Sequence, residues 1–471
     1  NLIPAPQCFP ATETAMDRRD YDWTEHFVYA FSPNWDSWKC MCRYCGITID
    51  IKKEVMSNHL MECPVFNSAR TVNRITEYNK TTTPYSGNAM MYNEENIYPV
   101  NRLRMGVITD DVSNYSMQCY INAAESSFLF SLSSVCTGEA NRNYAYIRDA
   151  FHLPASRVYS SVSDMFSKEL MRRDGDNCQC LLVVSDINMR YQLLMEAIQK
   201  GLSIMCSSPL CLTEAEAVML CKASLVQGNT FHIINPLRFY GMVQIARLLV
   251  QSYCLGEITH VSIDSFAFDS PGVSSEEHFF VSGVSNCTSR LGIPAYEVLR
   301  FVTVKPVYRL MACLFSSGRT AMDDMSLIRL ELEGGCIATL NLSTCSPLHS
   351  NDFVLRVVGS CGSLEWTNQR CNELRVRFVN EESVTLTPEV ESFRGISIRS
   401  YFNNSRGREG YLDALYNMFH CFYSSISYAN NEESFLPVTV SEAMESILFL
   451  STCLTSHNHA NSWIEMVTPQ I

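Results

Sequence analysis

The stretch between residues 103 and 234 constrains the fold most, because short apolar runs alternate there with helix-length amphipathic segments. Residues 105–108 read as a strand, 113–126 as a helix and 128–136 as a second strand. Residues 139–151 then read as helical, 181–184 as a buried strand, and 191–200 as a helix stopped by Gly201. Strand 203–206, helix 214–225 and strand 230–234 continue the series. Parallel strands need a crossover between them, and an amphipathic helix supplies it while covering a face of the sheet. The pattern predicts an α/β, doubly wound Rossmann domain over residues 102–240.

After about residue 255 the alternation ends. Residues 258–268, 326–332, 336–343, 352–359 and 373–379 read as successive strands, and 410–423 and 438–455 as late helices. They predict an α+β domain over residues 241–471, with an open, mainly antiparallel sheet and helices that return to the body.

Composition sets outer bounds. A chain of 471 residues with 46% hydrophobic and 18% charged residues has room for two or three cores. No run of about 18 apolar residues predicts a membrane span. The opening Asn1-Leu2-Ile3-Pro4 lacks a basic-then-apolar leader pattern. The 21 cysteines are odd in number and irregularly spaced, and Cys180, Cys221, Cys254 and Cys313 sit inside apolar runs as small hydrophobes. That usage predicts a reducing compartment, nucleus or cytosol. A net charge of -13 repels phosphate backbones unless a local basic patch offsets it.

Residues 1–64 carry the sharpest local signal. Cys42-Arg43-Tyr44-Cys45 precedes His59 and Cys63, and a helix over 52–61 would present the last two one turn apart. Two thiolates on a tight turn, an imidazole and a third thiolate can close a tetrahedral zinc site, with Cys40 as a spare thiol. Upstream, Trp23, Trp35 and Trp38, three of the five tryptophans, would supply a small core with Phe27 and Phe31. The arrangement resembles a BED-type zinc finger over residues 20–64, which implies docking on DNA or on a protein. Residues 1–70 hold seven Lys/Arg against nine Asp/Glu, so DNA is the less favoured partner, with Lys52 and Lys53 as the available phosphate contacts. Residues 65–101, rich in Asn, Thr, Ser, Tyr and Pro, read as a linker.

The body carries a series of landmarks in order: Glu196-Ala197-Ile198-Gln199-Lys200-Gly201, Pro209-Leu210-Cys211-Leu212-Thr213, Asn235-Pro236-Leu237-Arg238-Phe239, Leu255-Gly256-Glu257-Ile258, and the turn from Val358 to Leu364. In that order they resemble the family of glucose-fructose oxidoreductase and inositol dehydrogenase (Gfo/Idh/MocA), over residues 102–468. Within it the resemblance is to the animal glucose-fructose oxidoreductase domain-containing proteins. It implies a nicotinamide dinucleotide site, a sugar or polyol substrate, and a homodimer through the exposed face of the second sheet.

Three expected chemical elements are altered. The turn after the first strand reads Thr109-Asp110-Asp111-Val112, with Gly106 inside the strand, where a dinucleotide fold places glycines for close approach to the pyrophosphate. A carboxylate about 4 Å from a phosphate charge would cost about 4 kcal/mol at an intermediate dielectric. Asp110 or Asp111 as a cap of the following helix is the plainer reading. Ser207-Ser208-Pro209 stands where the resemblance implies Glu-Lys-Pro, and Pro294 stands where it implies a catalytic histidine, between Arg290 and Glu297. Serine supplies no cation, and proline does no acid–base work. Tyr296, Glu297 and His278 are candidate stand-ins, whereas His232 and His260 lie in strand patterns and read as structural.

These readings add up to a non-catalytic pseudo-oxidoreductase: a nuclear scaffold or adaptor in a chromatin or transcription-related complex. It would bind zinc and protein partners, hold no nicotinamide dinucleotide and touch no membrane. The alternative is a nicotinamide-dependent sugar or polyol oxidoreductase, or a cofactor sensor, with a rearranged site.

Overall fold

The computed structural model describes residues 27–30, 39–42, 48–50, 102–112, 115–137, 153–172, 175–268, 287–318, 323–349, 351–398, 408–427 and 435–469. The chain divides into two compact units, residues 1–85 and 86–471. In the first, strands Phe27–Ala30, Lys39–Cys42 and Thr48–Asp50 form an antiparallel sheet. Cys40 and Cys42 lie in its middle strand, while Cys45, His59, Cys63, the helix expected over 52–61 and the linker expected over 65–101 lie outside the described residues.

The second unit opens with strands β1 (Leu103–Thr109), β2 (Phe130–Thr137), β3 (Val158–Tyr159), β4 (Cys180–Val184), β5 (Ser203–Ser207) and β6 (Phe231–Ile234). Helices α1 (Tyr115–Ser126), α2 (Val162–Glu169), α3 (Ile187–Gln199) and α4 (Glu214–Gln227) alternate with them. β1 to β6 pair in parallel in the order β3-β2-β1-β4-β5-β6, and the short β15 (Val438–Thr439) adds antiparallel to β6. The doubly wound reading holds. β4 and β5 are almost wholly buried, as strands covered on both faces must be.

Local chemistry sets the ends of these elements. Thr213 and Glu216 form a reciprocal capping box at the start of α4, and Gly228 takes the left-handed conformation (φ 68°) that ends it. Gly106 has a packing role: a Cβ there would lie 2.5 Å from Met165 Cε of α2 and 2.9 Å from Cys178 Sγ. It lets α2 settle on the strand.

Helix α5 (Gly241–Gln251) leads to the second sheet. That sheet holds β7 (Ile258–Phe266), β8 (Val307–Phe315), β9 (Met325–Leu332), β10 (Ile337–Ser343), β11 (Asp352–Gly359), β12 (Gly362–Thr367), β13 (Leu374–Phe378), β14 (Val384–Leu386) and β16 (Ile464–Glu465). The order is β14-β13-β12-β11-β7-β10-β9-β8-β16. β7 and β10 run parallel while every other pair is antiparallel, so the sheet is mixed rather than simply antiparallel. Strands β9 and β10 alternate buried and outward residues, as a sheet with one covered face requires. Helices α6 (Ile293–Thr303), α7 (Tyr411–Ser427) and α8 (Val440–Asn458) pack on the body. Tyr296 of α6 stacks on Phe449 of α8 with centroids 4.5 Å apart. Phe130 of β2 meets Phe419 and Phe422 of α7. One continuous core therefore runs from the first sheet into the second.

Candidate functional site

The strand order of the first sheet reverses between β1 and β4, and ligands of such sheets sit outside the carboxyl ends at that point. A cleft of about 480 Å³ lies there, lined on one side by Val184, Ser207, Ser208 and Asn235 and on the other by Phe266, Asp352 and Gln369. Strand ends make a site because the last backbone groups of each strand, and the residue after it, have no ladder partner and must be satisfied by turns, helix ends or a ligand.

The first-sheet wall is held from behind. Arg190 of α3 is fully buried and donates from Nη1 to the Ser207 carbonyl at 3.1 Å; Nη1 also reaches the Pro209 carbonyl and Nη2 the Ser185 carbonyl. One guanidinium thus ties the ends of β4 and β5 to the turn at Pro209, whose bond to Ser208 is cis. Burial pulls its pKa down, and the charges of Asp110 and Asp186 oppose that.

Asn235 is held in the same manner. Its Nδ2 donates to Glu297 Oε2 at 2.7 Å, and its Oδ1 accepts the Leu237 N–H at 3.2 Å. Ser446 of α8 donates to Glu297 Oε1 at 3.2 Å, and Arg238 links the Glu297 carbonyl to Glu442. Burial drives the Glu297 carboxyl from its ordinary 4.5 up to about 7, with the nearby Arg238 charge opposing. Glu409, just before the cleft-lining Gly410, accepts the Gly241 N–H of α5 and the Asn417 amide, each at 2.9 Å, and burial raises it to about 7 as well.

The second-sheet wall is a turn. Asn351 (φ 70°) precedes β11, and its carbonyl accepts from Asn368 Nδ2 at 2.8 Å and Gln369 Nε2 at 3.2 Å. Gln369 Nε2 also donates to Asp352 Oδ1 at 2.6 Å, and Asp352 Oδ2 faces His349 Nδ1 at 2.7 Å.

The residues singled out in the sequence separate into three groups. Ser208, Arg290 and Pro294 meet at this cleft although 86 residues separate the first from the last. Glu297 stands behind Asn235, Tyr296 is buried against Phe449, and His278 lies outside the described residues. His232 is buried in β6 beside Phe422, where desolvation lowers its pKa to about 3 and keeps it neutral, and His260 lies in β7.

Asp110 is engaged in the fold: its carboxylate accepts the Asp186 N–H at the start of α3, beside Arg190, while residues 113–114, where a cap of α1 would fall, lie outside the described residues. Burial raises the pKa of Asp110, and the Asp186 N–H it accepts and the nearby Arg190 guanidinium oppose that. The repulsion expected to bar a diphosphate assumed an unengaged carboxylate. The turn still lacks glycine, so close backbone approach is not on offer, but the crevice itself is intact and its wall carries a buried Ser207 hydroxyl with no protein partner among the described residues.

Known proteins share this architecture. Residues 243–365 match the family model described as GFO/IDH/MocA C-terminal domain. An uncharacterized oxidoreductase, YfiI of Bacillus subtilis, is 21% identical over 328 residues, 66% of this chain and 83% of the relative. The crystal structure of an oxidoreductase from Sinorhizobium meliloti superposes with a TM-score of 0.69 at 23% identity, covering 77% of this chain and 99% of that one. An inositol dehydrogenase homolog from Azotobacter vinelandii, complexed with NADH and myo-inositol, superposes with a TM-score of 0.70 at 18% identity, covering 77% and 97%.

These likenesses overturn the scaffold reading. The relatives are named oxidoreductases, and the Azotobacter structure holds a nicotinamide dinucleotide in this fold, so neither the absence of catalysis nor the absence of that cofactor is retained. Zinc finds no support: among the described residues no group of three or more His, Cys, Asp or Glu could hold a metal ion, and Cys45, His59 and Cys63 lie outside them. No described helix is long and apolar enough to cross a membrane.

Proposed function

Starting from a C-terminal domain of the GFO/IDH/MocA family, we propose that this chain is a nicotinamide-dependent oxidoreductase acting on a polyhydroxylated small molecule, a sugar or cyclic polyol. The observation that carries the reading is the cleft: it opens at the order reversal of a parallel sheet and has a second wall lined with amide and carboxylate side chains. Asn351, Asp352, Asn368 and Gln369 lie together on that wall, and such a row suits a ligand with a hydroxyl on nearly every carbon. The myo-inositol bound by the Azotobacter relative is a ligand of that kind.

A bound nicotinamide would supply the hydride acceptor. The chain's own residues do the rest. Arg190 and Glu297 hold the cleft edge formed by Ser207, Ser208 and Asn235, residues that would help to hold the nicotinamide. The orphaned Ser207 hydroxyl offers a hydrogen-bond partner to the ligand after a rotation about one bond. Phe266, Leu237 and Tyr240 give the cleft apolar surface.

The test uses the full chain. NADH and NADPH are titrated while nicotinamide fluorescence is followed, and the oxidised forms are then offered with myo-inositol and a panel of hexoses. Saturable binding with reduction of the dinucleotide by one of them is the expected result. No binding of either dinucleotide at millimolar concentration would sink the reading.

A further inference from the structure

Tyr240 lines the cleft from the point where the chain passes from β6 into α5. Its backbone is clamped on both sides by one pair of side chains. Asn417 Nδ2 donates to the Phe239 carbonyl at 3.1 Å, the Gly241 N–H donates to Glu409 Oε2 at 2.9 Å, and Asn417 and Glu409 are themselves joined at 2.9 Å. The Tyr240 carbonyl accepts the Val243 and Gln244 N–H groups at 3.0 and 3.2 Å as α5 begins.

The ring is held as firmly. It packs on Trp366 of β12 with centroids 5.3 Å apart at an interplanar angle of 50°. Trp366 is fixed in turn by its indole N–H, which donates to the Cys371 carbonyl at 3.0 Å, and by the Phe353 ring at 6.1 Å.

The hydroxyl is the exception. Tyr240 is only 5% exposed, yet among the described residues its phenol oxygen has no hydrogen-bond partner. It is not one of the polar atoms shut away from solvent without a partner, as the Ser207 oxygen is, so it opens on to the cleft that the residue lines. Burial, and after it the acidic groups of Cys371, Tyr411, Glu409 and Asp413, hold the phenol above its ordinary 10, so it stays protonated and can donate. A buried tyrosine ordinarily pairs its hydroxyl. One that is rigid, lines a cleft and is left unpaired has a place for a ligand oxygen.

We propose that Tyr240 is the substrate-selecting residue of this cleft: its hydroxyl hydrogen-bonds one oxygen of a polyhydroxylated ligand and so requires an oxygen at that place. The inference rests on the oxidoreductase reading and deepens it. A ligand with CH₂ at that place leaves the phenol unpaired, and a site built to hydrogen-bond a hydroxyl rejects such an analogue more sharply than an apolar pocket rejects a change of size.

The experiment compares the full chain with Tyr240→Phe, which keeps the ring, its contact with Trp366 and both backbone clamps. Calorimetry in saturating NADH measures the affinity of the best polyol of the panel and of each of its single-deoxy analogues. NADH affinity is followed by fluorescence and stability by melting temperature. Wild type should bind one of the deoxy analogues about 10- to 100-fold more weakly than the parent. Tyr240→Phe should lose a similar factor on the parent and almost nothing further on that same analogue, while its losses on the other analogues match those of wild type. NADH affinity should stay within about twofold, and the melting temperature should not fall, because the hydroxyl has no protein partner to lose. Parent affinity unchanged in Tyr240→Phe overturns the assignment and leaves the oxidoreductase reading standing. So does a loss spread evenly over the parent and every analogue, a marked fall in melting temperature, or a wild type whose NADH form binds no polyol. A wild type that binds no dinucleotide and oxidises no polyol overturns both.

Discussion

The two walls of the cleft satisfy their polar groups in opposite ways. On the first-sheet side the groups that fix Ser207, Pro209 and Asn235 are wholly buried: Arg190 on the carbonyls and Glu297 on the amide. On the second-sheet side Asp352 is partly in water, paired with the half-exposed His349, on a turn held by neutral amides. A buried charge without its partners is expensive, so the first wall is rigid and its titrating groups are committed to architecture. A partly solvated pair stays in exchange with water. The chain has thus put the buried, committed groups of the cleft on one sheet and its partly solvated polar turn on the other.

Arg190→Met offers the strongest way to break that contrast. It removes the donor to three buried carbonyls, those of Ser185, Ser207 and Pro209, and leaves Asp110 and Asp186 without the charge beside them. Breaking a buried set of this kind costs about 3–5 kcal/mol, against less than about 1 kcal/mol for Asp352→Asn at the rim. Urea unfolding of the two variants measures the difference. Equal midpoints would mean that the walls are equally exposed to water and that the contrast is false.

The pH dependence of stability sharpens it further. Glu297 titrates near 7 when folded and near 4.5 when unfolded, so the folded state binds more protons between those values. Stability therefore falls as pH rises from about 4.5 through about 7 and levels off above. At about 1.4 kcal/mol per unit the Glu297 share is about 3 kcal/mol, and Glu409, raised to about 7 by the same cause, adds in the same direction. His232, held neutral down to about 3, works the other way and removes stability on acidification below its ordinary 6.5. Glu297→Gln keeps an oxygen for the Asn235 amide and loses the charge. Its loss of stability between pH 5 and pH 8, followed by melting temperature, should be smaller than in wild type. A parallel pair of curves would show that Glu297 carries no such charge.

The fold was legible because it rests on periodicity. The alternation of 103–234 located five of the six parallel strands, since buried strands flanked by amphipathic helices leave apolar runs of the right length. The sequence reading missed β8 and β12, where outward residues such as Tyr308, Arg309 and Glu365 break the apolar run, and α5 and most of α6, whose near-complete burial removes the polar face that marks a helix. The parallel pairing of β7 with β10 depends on which strands meet, which no local pattern encodes. The site was half legible. Ser208, Arg290 and Pro294 were placed at the cleft by order of landmarks, but Asn351 and Asp352 sit in a polar turn, and nothing in that turn distinguishes it from solvent-facing loops. The bracing by Gln369 exists only after β11 and β12 pair.

Asp110→Asn asks for the smallest change and separates sequence logic from structural logic most cleanly. Judged from the sequence, Asp110 is a charge in the phosphate turn, and its neutralisation should tighten dinucleotide binding by the roughly 4 kcal/mol assigned to the repulsion, about a thousandfold. In the folded chain the carboxylate accepts the Asp186 N–H, its pKa is raised by burial, and Arg190 stands beside it. Asparagine keeps an oxygen for that N–H, and Asp110 is not among the residues lining the cleft, so NADH affinity should change by about threefold or less. Fluorescence titration at neutral pH and low salt decides it, since low salt leaves any real repulsion unscreened. A gain of a hundredfold or more would mean that Asp110 points at the ligand after all, and that the first wall is less committed to architecture than its hydrogen bonds imply.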